Sequence, residues 1–203
     1  MNGTILTGIT LLAFIVLHSI TASLFFKAWA KSFLGEQAFE IWFRFIYNLI
    51  SIISLVPVMI ELRIPTFLLW KTSGIVPGIF YIIQLVGVIG MAVTLLQIDV
   101  LSFVGIRQLF SHSESKPQEP EKLVIDGLYK IVRHPLYLFS MLVIWFVPTM
   151  SESWFVFSLF STLYFYIGSY FEERKMLIQF GDAYRQYQHS IPRIIPFLKP
   201  RKL

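Results

Sequence analysis

The sequence predicts an all-α integral membrane protein with about five transmembrane helices, the last two forming a helical hairpin above a cytoplasmic cofactor pocket. Three observations point there. Of 203 residues, 56% are hydrophobic and only 14% charged, far from the composition of an ordinary soluble domain. Several apolar windows reach the roughly 20 residues needed to cross about 30 Å of hydrocarbon without an internal charge. The cations, finally, crowd into alternate loops.

The apolar runs fall at residues 3–26, 41–60, 75–98, 136–147 and 154–171. No Lys or Arg precedes the first run, and its first cation, Lys27, follows it. A cleaved signal peptide begins with a basic region, so this run is expected to be a retained helix. The fourth run is short, and the break Pro148-Thr149-Met150-Ser151-Glu152-Ser153 makes it the first arm of a tight hairpin with the fifth. Beyond the fifth run, Met176, Leu177, Phe180, Tyr184 and Tyr187 recur at three- and four-residue spacing, which predicts a helix continuing past the membrane surface. Pro192 limits that helix, and IPRIIPFLKP is expected to be an extended tail near the interface.

Of 17 Lys and Arg, 15 belong to the first and third loops and the C-terminal segment, leaving only Arg63 and Lys71 for the other side. The positive-inside rule then puts the N-terminus outside and the C-terminus in the cytoplasm. The expected organisation is three N-terminal membrane helices in residues 1–98 and a cofactor-binding region in residues 99–203, with the lipid bilayer as partner. The net charge of +5 is spread through short segments between apolar runs, so it predicts topology and no nucleic-acid partner. Without cysteine there is no disulfide, thiolate metal site or cysteine nucleophile. No HExxH, GxSxG or strand-plus-glycine fingerprint is present, so no metal site, serine hydrolase or Rossmann unit is expected.

Two segments on the cytoplasmic side are too long for connectors: 99–133, which includes the polar excursion SHSESKPQEPEK, and everything after Phe171. In an antiparallel hairpin, His134 lies about 20 Å before the turn and Glu172 about 28 Å after it, at 1.5 Å per residue. Arg133, His134, Glu172 and Glu173 are therefore expected to share one pocket mouth. Blander roles are open for each. Arg133 can be a topology anchor, Pro135 an ordinary first-turn residue, and Glu172-Glu173 a solvated start to the extension. Tyr129 and Tyr137 can be interfacial belt residues, Tyr184 and Tyr187 helix-packing ones, and Arg107-Gln108 plain loop polarity. His18, inside the first run, can be functional or hydrogen-bonded to a neighbouring helix.

LVIDGLYKIVRHPLYL (123–138), followed by EERKMLIQFGDAYRQYQHSIPRIIP (172–196), resembles the isoprenylcysteine carboxyl methyltransferase and phospholipid methyltransferase family of membrane enzymes. The segments HSITASLFFKAWAKSFLG, FRFIYN and QIDVLSFVGIRQLF are similar to its methanethiol S-methyltransferase branch. The resemblance implies S-adenosyl-L-methionine as methyl donor and a small thiol or lipophilic acceptor, in what is expected to be the bacterial inner membrane. Carried over by position, it implies cofactor contacts from Gln108, Glu121, Lys122, Leu123, Val124, Tyr129, His134, Pro135, Leu136, Tyr137 and Glu172, with Glu173 completing the motif. Arg133, His134 and Arg107 are the expected catalytic residues, able to meet the cofactor carboxylate. Where the prenylcysteine enzymes carry an Arg one turn before the Glu pair, this chain has Gly168. Two alternatives are a nicotinamide-dependent membrane reductase of similar C-terminal architecture and a non-catalytic membrane protein that keeps the fold.

Overall fold

The computed structural model describes residues 3–98, 100–110 and 123–198. The chain is mostly helical and divides into two compact units, Met1–Phe67 with Asp99–Pro117 and Ser151–Phe157, and Leu68–Ile98 with Gln118–Met150 and Ser158–Leu203. Among the described residues, four helices are long and apolar enough to cross a membrane: α1 (Gly3–Ala22), α3 (Glu36–Glu61), α4 (Val76–Gln97) and α8 (Glu152–Phe180).

In the first unit, the expected run 3–26 is split. α1 ends at Ala22, and Ser23 starts α2 (Leu24–Leu34) by accepting a hydrogen bond from the Phe26 amide at 3.1 Å. A serine in that position satisfies an amide the new helix cannot. Thr7, Thr10 and Thr21 return their hydroxyls to carbonyls one turn back in α1, so these polar groups stay satisfied among apolar neighbours. His18 joins α1 to α3: its ring lies 2.9 Å from the Ser51 hydroxyl and 2.8 Å from that of Tyr47. Two short helices, α5 (Val100–Val104) and α6 (Ile106–Phe110), meet at Gly105, whose φ of 92° suits glycine and whose Cβ would collide with the α3 backbone at Phe45.

The second unit contains α4, α7 (Pro135–Trp145), most of α8, and α9 (Asp182–Ser190). Helix α7 has only 11 residues, too few to span by itself. It lies along α4 with close backbone approach: a Cβ on Gly90 would collide with the Phe139 ring, and one on Gly87 would sit 2.9 Å from the Phe139 carbonyl. Small residues at such contacts let helices gain dispersion energy where lipid offers no hydrophobic drive. α7 returns to α8 as the expected hairpin, tied by Ser158 Oγ to the Ile144 carbonyl (3.0 Å) and Trp145 Nε1 to Thr162 Oγ1 (2.8 Å).

Two features correct the sequence-based expectation. The connections before α4 and after α7 each contain a strand, β1 (Leu68–Lys71) and β2 (Thr149–Ser151), and these pair. Backbone groups that leave a helix need partners, and two connections at one end of the helices supply them to each other. The extension after Phe171 is likewise two helices. Gly181, at φ 55°, stops α8, and α9 carries Tyr184 and Tyr187.

Candidate cofactor-binding site

The site is built where the start of α7, the end of α8, α9 and the tail meet in the second unit. Residues 131–134 run without helical structure into Pro135, which opens α7 at a position where a missing N–H costs nothing. The tail binds this segment through its backbone: Arg133 N–H donates to the Pro192 carbonyl (2.9 Å) and His134 N–H to that of Arg193 (3.0 Å). The tail is thus a strap over the start of α7, but where an extended segment was expected residues 193–197 run through bends and turns, with Phe197 at φ 70°.

Glu173 is the hub. Its Oε1 accepts from Arg133 Nε at 2.7 Å, and its Oε2 from Gln188 Nε2 at 2.9 Å with Arg193 Nη2 at 3.2 Å. Arg133 Nη1 donates to the carbonyls of Gln188 (2.7 Å) and Ile191 (2.5 Å). Both side chains are buried, 7% and 4% exposed. Burying two ions is tolerable only with geometry and hydrogen bonding this complete.

The neighbouring Glu172 differs. Its side chain is 45% exposed and accepts from the Tyr137 hydroxyl at 2.5 Å. His134 bridges the two glutamates, with Nδ1 3.3 Å from Glu172 and Nε2 3.3 Å from Glu173. Burial opposes its charged form, but the hydrogen bonds to both carboxylates outweigh that and raise its pKa above the usual histidine value. The imidazole stacks on Tyr137 (5.4 Å between centroids), and Tyr137 on Phe165 of α8 (4.8 Å).

Upstream, the 3₁₀ turn Gly127–Lys130 carries Tyr129. Burial raises the phenol pKa of Tyr129, and the Glu172 charge adds to it. Leu123 and Val124 lead into this turn, half-buried, as are Leu136 and Tyr137. Pro135 is buried.

The structure therefore brings Arg133, His134, Tyr137, Glu172 and Glu173 together, with Tyr129 sensing the Glu172 charge. Arg107 and Gln108 belong to the first unit, on α6. Gln108 donates to the Ser102 carbonyl at 3.2 Å, and its buried Oε1 has no hydrogen-bond partner among the described residues. Glu121 and Lys122 lie outside the described residues. Gln188, Arg193, Tyr187 and Gln97 were not singled out as site residues. Arg193, a cation inside a proline-pinned tail, was a readable signal. Gln97, the last residue of an apolar helix, opens the segment QIDVLSFVGIRQLF, and that resemblance was its signal.

A membrane-embedded helical chain with such a polar knot has relatives. The family DUF1295, described as a protein of unknown function, matches residues 26–191. Methanethiol S-methyltransferase 2 of Bradyrhizobium diazoefficiens is 32% identical over 204 residues, covering 100% of this chain and 77% of that protein. Methanethiol S-methyltransferase of Pseudomonas deceptionensis is 32% identical over 198 residues, 92% of this chain and 70% of that protein. Protein-S-isoprenylcysteine O-methyltransferase of Schizosaccharomyces pombe is 35% identical over 103 residues, 48% of this chain and 43% of that protein. No solved structure matches the chain. The protein is a membrane methyltransferase. It belongs to the isoprenylcysteine carboxyl methyltransferase-like family, on the branch that holds the methanethiol S-methyltransferases.

Proposed function

We propose that the chain transfers the methyl group of S-adenosyl-L-methionine to a small thiol such as methanethiol, and that the cofactor lies against the Tyr129–His134–Tyr137–Glu172 face of the second unit. The carrying observation is the contrast between adjacent glutamates: Glu173 is consumed by buried cations, whereas Glu172 keeps a half-exposed carboxylate. The residues fit the group. A cationic cofactor suits an exposed anion, and a Cβ on Gly168, one turn before Glu172, would meet only the Tyr137 hydroxyl, at 3.7 Å, so there is room beside it.

When bound, the cofactor supplies a methyl group on a sulfonium sulfur, open to in-line attack by the acceptor sulfur. The chain mainly orients the two reactants, which is worth several kcal/mol by itself. Glu172 takes the cofactor's hydroxyl or ammonium donors, and Tyr129 and Tyr137 line its bed. Both ring nitrogens of His134 face carboxylates, Nδ1 that of Glu172 and Nε2 that of Glu173, so it holds Glu172 in place. Arg133, bonded to Glu173, Gln188 and Ile191, holds the wall. Arg107, Gln108, Glu121 and Lys122 enter on the resemblance alone.

Five crossings, with the N-terminus outside and the site cytoplasmic in a bacterial inner membrane, suit this chemistry. Helix α7 is short, yet α4 and the segment holding α7 run side by side over the full length of α4. Contacts extend from Gln97 with Leu128, through Met91 with Ser140 and Gln84 with Val143, to Thr72 with Pro148. Twenty-two residues of α4 rise about 33 Å. Helix α7, lying along α4, thus supports a fifth crossing, with residues 127–134 at its start carrying the site at the cytoplasmic end.

Calorimetry on the detergent-solubilised protein tests the cofactor: S-adenosylhomocysteine should bind and a reduced nicotinamide cofactor should not. Labelled S-adenosyl-L-methionine offered with methanethiol, other small thiols, prenylcysteine analogues and phosphatidylethanolamine tests the acceptor. Label appearing only in a lipid or prenylcysteine product would replace the thiol.

A further inference from the structure

The turn Gly127–Lys130 is gripped from two sides. From the end of α4, Gln97 Oε1 accepts the Leu128 N–H at 3.2 Å. From α9, the Tyr187 hydroxyl donates to the Tyr129 carbonyl at 2.6 Å. Residue 127 must be glycine twice over, because φ is +59° and a Cβ there would collide with the Gln97 amide. Tyr187 is buried, and burial pushes its phenol well above the usual range, so it stays a proton donor. Neither bond closes a helix. Both fix the one turn that carries Tyr129, whose phenol senses the Glu172 charge.

We propose that Gln97 and Tyr187 are positioning residues for the cofactor: acting from opposite sides, they set the turn Gly127–Lys130 and so hold Tyr129, a member of the proposed cofactor face, in place. This rests on the cofactor reading above. The grip comes from two elements outside the turn, the end of a membrane helix and α9. The turn closes locally through the Tyr129 N–H to the Asp126 carbonyl (3.1 Å) and the Ile131 N–H to the Leu128 carbonyl (3.0 Å), and the two outside bonds tie it to α4 and α9.

Three substitutions in the full-length detergent-solubilised protein test it. Gln97→Met keeps the volume and removes the acceptor, Gln97→Glu restores an acceptor oxygen, and Tyr187→Phe removes only the hydroxyl. The readouts are S-adenosylhomocysteine affinity by calorimetry, amide hydrogen exchange of residues 127–131, and cofactor KM against kcat. Losing one hydrogen bond should weaken affinity about three- to tenfold in Gln97→Met and in Tyr187→Phe. Exchange in the turn should quicken and cofactor KM should rise more than kcat falls. Gln97→Glu should stay within about twofold of wild type, and the double variant should lose less than the product of the singles, because both act on one turn. Unchanged affinity in both single variants, or equal damage from Gln97→Glu and Gln97→Met, overturns the proposal. Wild type that binds no S-adenosylhomocysteine overturns the cofactor reading and this proposal with it. Wild type that binds while the variants match it overturns this proposal alone.

Discussion

Two histidines sit in similar frames and do different things. His18 in the first unit and His134 in the second each join two helices, and each stacks on an aromatic ring, Phe14 at 5.6 Å and Tyr137 at 5.4 Å. The partners of His18 include hydroxyls of Ser51 and Tyr47, whereas His134 lies between two carboxylates. A hydroxyl partner fastens helices together inside a membrane. Carboxylate partners at a helix start favour a charged imidazole, and they leave one glutamate facing outward. Under the proposed function, this contrast assigns cofactor recognition to the second unit, while the hydroxyl partners of His18 serve helix cohesion in the first.

The largest effect should come from the buried hub. Glu173→Ala leaves Arg133 buried beside an empty space, and losing one member of such a pair costs about 3–5 kcal/mol. Against a typical stability of about 5–15 kcal/mol, the variant should melt far below wild type or fail to survive extraction, as measured by thermal unfolding in detergent. Its neighbour should behave oppositely. Glu172→Gln should change the melting temperature little and weaken S-adenosylhomocysteine binding about tenfold or more, the size of a lost charge-assisted hydrogen bond. If both substitutions lowered stability alike and spared binding, the two glutamates would form one structural patch.

Much of this site was legible because it depends on one-dimensional facts. Membrane runs give helix positions, a short break gives an antiparallel hairpin, and 1.5 Å per residue brings His134 within about two helical turns of Glu172. That arithmetic could not say which glutamate turns inward. The answer depends on Gln188 and Arg193, which reach Glu173 only because Gly181 breaks the helix and turns α9 and the tail back over α7. A glycine inside a three-and-four periodicity was the signal, and the periodicity concealed it. The split at Ser23 was hidden similarly, since apolar residues continue on both sides of a capping serine. The strands were too short and too exposed to alternate visibly.

A smaller effect should appear with pH. The folded pKa of His134 is raised above the usual 6.5, so protonation of this histidine stabilises the fold. That contribution is complete below about pH 6.5 and is lost as pH rises through the raised folded value. Melting temperature in detergent should therefore fall across that window on the alkaline side, and His134→Gln should flatten the fall. A slope that survived in His134→Gln would move the titration to another group and weaken the contrast with His18.

The smallest effect belongs to His18→Phe. The substitution keeps a ring against Phe14 and deletes the contacts to Ser51 and Tyr47. Ser51 still donates to the Tyr47 carbonyl at 2.8 Å, so its hydroxyl is not orphaned. Hydrogen bonds between membrane helices average about 0.6 kcal/mol and rarely exceed about 1.7 kcal/mol, because the separated helices find other partners. Stability should thus drop by about 1 kcal/mol, with S-adenosylhomocysteine affinity and methyl transfer unchanged. Loss of transfer with the melting temperature preserved would show that the first unit carries chemistry too, and the division between a cohesive histidine and a recognition histidine would fail.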